Sequence, residues 1–116
     1  MECCCENMNI YELKLEADVD TDPVWCNRCG CNLELDELPI SLELKEKLRD
    51  WAIQYGEWID WDNDKLRENG LELEKEHNQM GQFLSSKIQK ELKGTYTVLF
   101  SPSHSAIHYM NKESRL

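Results

Sequence analysis

Cys26-Asn27-Arg28-Cys29-Gly30 constrains this chain more than any other stretch. Two thiolates separated by two residues can point at one ion. The glycine that follows allows the positive φ of a tight turn, which brings backbone amides close to the sulfurs. Such a half-site needs a second pair of ligands, and Cys3, Cys4 and Cys5 offer it from the N-terminus. Alternation along an extended segment puts Cys3 and Cys5 on one side and Cys4 on the other. The expected set is therefore Cys3, Cys5, Cys26 and Cys29 around zinc. Four thiolates close the coordination shell and leave no position for water, so the expected metal is structural. It would tie the N-terminus to the loop before the first helix.

The knuckle from Cys26 to Gly30 resembles those of zinc-ribbon and rubredoxin-type proteins. The likeness is confined to that local motif; it implies a metal site and brings no activity with it. Those families usually pair two Cys-x-x-Cys knuckles, whereas the N-terminal run here is three adjacent cysteines. Cys4 therefore stays open as a ligand, as does Cys31, two residues beyond Cys29. His104-x-x-x-His108 is another alternative, because its spacing suits a Cys2His2 site on a helix. The blander explanation of both histidines is a solvated tail.

The same thiols allow a redox reading. A Cys-x-x-Cys pair cycles between dithiol and disulfide when a helix N-terminus lowers one thiol's pKa. A thiol-dependent enzyme or sensor using Cys26 and Cys29 is the runner-up. Gly30 and a predicted strand follow the pair, and that context lacks the activating helix dipole.

Length and composition set the scale. The 116 residues predict a single domain in four parts: a zinc-knuckle hairpin over 1–38, two helices over 39–93, a strand over 94–102 and a tail over 103–116. With 41% apolar and 31% charged residues, the core is modest, and a metal staple would contribute to its stability. Met1-Glu2-Cys3 lacks the basic start and apolar run of a secretory signal, and no segment reaches the roughly 20 apolar residues of a membrane span. The expectation is a cytoplasmic protein, where cysteines serve metal or redox chemistry more than disulfides.

Charge is distributed unevenly. Residues 1–62 carry 16 acidic and 5 basic side chains, and residues 63–116 carry 7 and 8, within a net charge of −10. An acidic half repels phosphate backbones and anionic membrane surfaces, which argues against nucleic-acid and membrane partners. It attracts a basic protein and accelerates encounter with it, although solubility alone also explains it.

Hydrophobic periodicity supplies the elements. Tyr11, Leu13, Leu15, Ala17 and Val19 alternate with Glu12, Lys14, Glu16 and Asp18, predicting a half-buried strand over 10–19. Asp20 to Pro23 reads as a turn, and Leu33 with Leu35 predicts a short second strand. Ser41 is a candidate N-cap for a helix whose stripe is Leu44, Leu48, Trp51, Tyr55 and Ile59, with Gly56 fraying its end. Asp60 to Gly70 reads as a loop. A second helix over 71–92 has the inward stripe Leu73, His77, Met80, Leu84, Ile88 and Leu92, with acidic residues near its start and lysines near its end. Thr95 to Ser101 predicts a third strand. The fold class is α+β: a small antiparallel sheet covered by two helices.

Trp58, Asp60, Trp61, Asp62 and Asp64 form a candidate partner surface. Aromatic rings beside carboxylates anchor cationic groups, while the alternative is that both tryptophans cap the core. Alternating oxygens from Asp60 to Asp64 hint at an EF-hand, but Lys65 stands where the turn glycine belongs and Leu71 where the bidentate glutamate belongs. His77, alone on an apolar stripe, reads as a core histidine. Without a phosphate loop, nucleophile elbow or convincing carboxylate pair, the chain reads as a non-enzymatic protein acting through protein–protein contact. One concrete form is an inhibitor or immunity-type protein that blocks a basic partner.

Overall fold

The alternation that begins with Leu13 and Leu15 produces β1 (Glu12–Leu15), whose two leucines turn into the core while Lys14 turns out. The computed structural model describes residues 12–18, 21–92 and 96–106. Antiparallel to β1 runs β2 (Val24–Cys26), with Leu13 opposite Cys26 and Leu15 opposite Val24. β3 (Asn32–Leu33) pairs with β2 on its other side. Leu35, expected on a strand with Leu33, lies instead in a 3-10 turn, Leu35–Glu37. Its N–H donates to the Asp22 carboxylate at 2.9 Å, which takes it out of the ladder.

Ser41 caps α1 (Leu42–Ile53) as expected, accepting from Leu44 N at 3.2 Å. Glu91 fixes the cap from another element, accepting from Ser41 N at 2.6 Å and from its hydroxyl at 2.9 Å. Leu44, Leu48 and Trp51 face inward, but the helix stops at Ile53 and does not carry the stripe to Ile59. Gly56, at φ 88°, reverses the chain. Ile59 then opens β4 (Ile59–Asp60), which pairs with β5 (Lys65–Leu66) in a small hairpin where a plain loop was expected.

α2 (Gly70–Leu92) buries Glu74, His77, Gly81, Leu84, Ser85, Ile88 and Leu92. Met80, expected on the inner stripe, is half exposed, and Gly81 takes the inner position. A Cβ at Gly81 would collide with the Phe100 ring and sit 2.8 Å from Trp51 Cζ2. The bare backbone is what lets three elements meet there.

β6 (Thr97–Phe100) closes the sheet, order β3-β2-β1-β6. It lies parallel to β1, Leu13 beside Val98 and Leu15 beside Phe100, so the sheet is mixed and the antiparallel expectation is corrected. The cause is topological: both helices intervene before β6, and such a crossover can bring a strand back in the same direction. The α+β class holds. The main core lies between the sheet's inner face and the helices, with a second cluster of Trp58, Ile59 and Ala106 under the hairpin. Among the described residues no helix is long and apolar enough to cross a membrane.

Candidate interaction surface

The β4–β5 hairpin is shaped by its own polar groups. Asp60 accepts from Asn63 N at 3.3 Å and from the Asn63 carboxamide at 2.8 Å, closing the turn. These bonds hold the Asp60 carboxyl below the usual carboxylate range. Asp64 sits at φ 52°, in the left-handed region that aspartate tolerates better than most residues. Asp62 and Asp64 stand exposed.

Trp61 projects from this turn and is 60% exposed. Its ring passes over Gly56, where a Cβ would lie 3.1 Å from Trp61 Cζ2. Glycine at 56 thus serves both the reversed φ and the close approach of the indole.

Trp58 is corrected from the candidate surface to the core, with only 1% exposure. Its Nε1 donates to Ser105 Oγ at 2.8 Å, and its ring meets Tyr55 edge-on at 5.5 Å. Beneath it, Glu74 Oε2 accepts from Ser103 Oγ at 2.9 Å, from Ser105 Oγ at 3.2 Å and from Ala106 N at 2.9 Å. Asn78 clamps Ser103 from both sides, accepting from its N–H at 2.8 Å and donating to its carbonyl at 3.1 Å. Residues 103–106 were expected to begin a solvated tail. Hydroxyls aimed at a buried carboxylate make them a strap across α2 instead.

His77 is a core residue, as expected. It stacks on Trp51 at 4.4 Å between centroids, and burial pushes its pKa down to about 4. Its Nδ1 is buried and finds no hydrogen-bond partner among the described residues.

An acidic stripe that sequence reading missed lies on α1. Glu43, Glu46 and Asp50 are exposed at spacings of three and four, and exposed Ile53 extends the row toward the turn. The signal was present: the helix stripe leaves these positions outward, and all three are acidic.

The knuckle adopts the expected turn. Gly30 has φ 80°, its N–H donates to Cys26 O at 2.8 Å, and Cys26 N donates to Cys31 O at 2.9 Å. Cys26 is buried and Cys29 exposed. Cys31 takes part in a disulfide, and a disulfide sulfur offers a metal no thiolate. Cys3, Cys4, Cys5 and His108 lie outside the described residues. His104 is exposed on the strap. Among the described residues no three His, Cys, Asp or Glu side chains gather to hold a metal.

The chain is a small α+β fold that carries an exposed tryptophan and exposed acidic residues on short elements braced by hydrogen bonds. The chain belongs to the Serratia CdiI immunity protein-like family, whose sequence profile matches residues 11–103, from the start of the sheet to the strap. Comparison with curated proteins gave no match.

Proposed function

We propose that this chain is an immunity protein that neutralises a basic protein toxin by binding it, with Trp61 as anchor and Asp62, Asp64 and the α1 acids around it. The observation that carries this reading is the exposed indole on a hydrogen-bonded acidic turn, within the residues matched to an immunity family. Carboxylates steer a basic partner and speed its arrival. A large aromatic ring then supplies apolar contact and cation–π attraction at small entropic cost. Nothing in this mode of action requires catalysis by the chain.

The test is binding of the cognate toxin domain across a range of salt, using wild type, Trp61→Ala and the pair Asp62→Asn with Asp64→Asn. Asp60 is spared because its carboxylate closes the turn. Weaker binding for Trp61→Ala, and a shallower salt dependence for the aspartate pair, are the expected results. Toxin affinity indifferent to salt and to all three substitutions would sink the proposal.

A structural zinc on Cys3, Cys5, Cys26 and Cys29 is a separate proposal, supported by the left-handed Gly30 turn that closes the knuckle. About one zinc per purified chain, released together with a burst of reactive thiols on chelation, is expected. Metal-free protein whose thiols react at once would overturn it and favour the redox reading.

A further inference from the structure

Among the described residues the sheet has two outer strands, β3 and β6, and a strand edge invites pairing with another chain. β3 manages this by brevity, being only Asn32–Leu33. β6 is longer, and among the described residues β1 alone is its neighbour in the sheet. Ser101 N donates to Leu15 O at 2.9 Å, which fixes the parity of the strand. By that parity the amides of Thr97, Leu99 and Ser101 turn toward β1, and those of Val98 and Phe100 turn away from it.

On this outer side stands one side chain from α2. Val98 N donates to Gln89 Oε1 at 2.9 Å, and Gln89 Nε2 donates to Tyr96 O at 2.6 Å. A residue of a parallel neighbouring strand makes the same two bonds, accepting from the N–H after its counterpart and donating to the carbonyl before it. The Gln89 carboxamide therefore occupies the place of a fifth strand opposite Thr97.

We propose that Gln89 is an edge guard that keeps β6 from pairing with β6 of a second copy of this chain. The occupant follows from the edge itself. Two identical edges related by a twofold axis are self-complementary and would join antiparallel into one continuous sheet. Leu99, 48% exposed on the strand, would gain cover from the same pairing. The guard does not depend on the immunity reading, since it concerns the chain alone.

Gln89→Ala tests this, because alanine keeps the helix and removes only the carboxamide. Sedimentation should show wild type self-associating at least about tenfold more weakly than the variant, the effect of removing the two Gln89 hydrogen bonds from the strand edge. Adding Leu99→Lys to the variant should restore the monomer, because a charge on an edge discourages pairing. Amide exchange supplies a second readout. Wild-type Val98 should exchange more slowly than Phe100, although both point outward, and Gln89→Ala should erase that difference. Wild-type sedimentation of the variant would overturn the guard, even if Val98 exchange quickened, since Gln89 would then be a local tie only. Self-association that Leu99→Lys leaves untouched would overturn it equally, by placing the contact elsewhere.

Discussion

Trp58 and Trp61 stand three residues apart in one acidic stretch, and the fold gives them opposite surroundings. Trp58 points down into a cluster sealed by the strap, with its indole N–H spent on Ser105. Trp61 lies across Gly56 at the surface, beside carboxylates that face water. The difference comes from what lies beneath each ring. Under Trp58 a distant segment brings Ala106 and two serine hydroxyls. Trp61 rests on a bare glycine and keeps most of its ring in solvent. One ring is therefore part of the core, and the other is left at the surface, where the proposed function uses it.

Truncation of each ring should separate these roles most sharply. Trp58→Ala is expected to cost about 3–5 kcal/mol, the usual penalty for emptying a large aromatic site, with the Ser105 hydroxyl losing a partner as well. Trp61→Ala should cost no more than about 1 kcal/mol, as surface changes generally do. Denaturant melts of both variants measure this. Equal losses would mean that the two rings share one structural task, and the contrast would fall.

The strap itself comes next in size. Glu74→Ala leaves the Ser103 and Ser105 hydroxyls and the Ala106 N–H without their shared acceptor. Such a loss costs about 1–3 kcal/mol. Because Ser105 also holds Trp58, the substitution should loosen that ring and shift its fluorescence toward that of exposed indole. Trp61 should keep its emission. A blue-shifted Trp58 signal in Glu74→Ala would show that the strap is not what seats the ring.

Local pattern carried much of the fold, and long-range closure was hidden from it. The Leu13–Leu15 alternation, the Ser41 cap and the α2 period each express one segment's own preferences, and each was readable. The same holds for Gly30, because only a tight turn explains glycine after the second cysteine. The parallel pairing of β6 with β1 was not readable, since no residue in either strand encodes direction. Ser103 to Ala106 carry no periodicity, so their anchoring depends on Glu74, about thirty residues away. Met80 and Gly81 exchanged places for a similar reason: hydrophobicity favours methionine inside, but the space between Trp51 and Phe100 admits no side chain. Of the candidate surface, the acids and Trp61 were legible as composition. The Asn63 bonds that shape the turn and the burial of Trp58 were not.

His77 links the buried side of the comparison to pH. Its ring packs on Trp51, with Tyr55 and Trp58 nearby, and the crevices on either side are lined by Glu57, Glu76, Glu16 and His104. Its folded pKa of about 4 lies below the ordinary imidazole value of 6.5, because burial disfavours the charged ring. Between those values the unfolded chain binds a proton that the folded chain refuses, so stability is full above the upper value and falls as pH drops toward the lower. The loss should reach about 2 kcal/mol, less than the full linkage value because the site is not wholly sealed. His77→Phe keeps the stacking and removes the proton, so its melting temperature should vary less over this range. Identical pH profiles for the two proteins would assign the slope to the carboxylates.

The smallest expected change in stability lies on the outward side. Asp62→Asn with Asp64→Asn removes two exposed charges and leaves the Asp60–Asn63 bonds in place. Asparagine also tolerates the left-handed backbone at position 64. Stability should therefore stay within about 0.5 kcal/mol of wild type. The effect should appear in association instead, as a slower on-rate for a basic partner with little change in off-rate, because rim charges steer encounter more than they hold a complex. Stopped-flow association at low and high salt distinguishes the cases. A change confined to the off-rate would place these carboxylates inside a desolvated contact, and the turn would then grip the partner directly alongside Trp61.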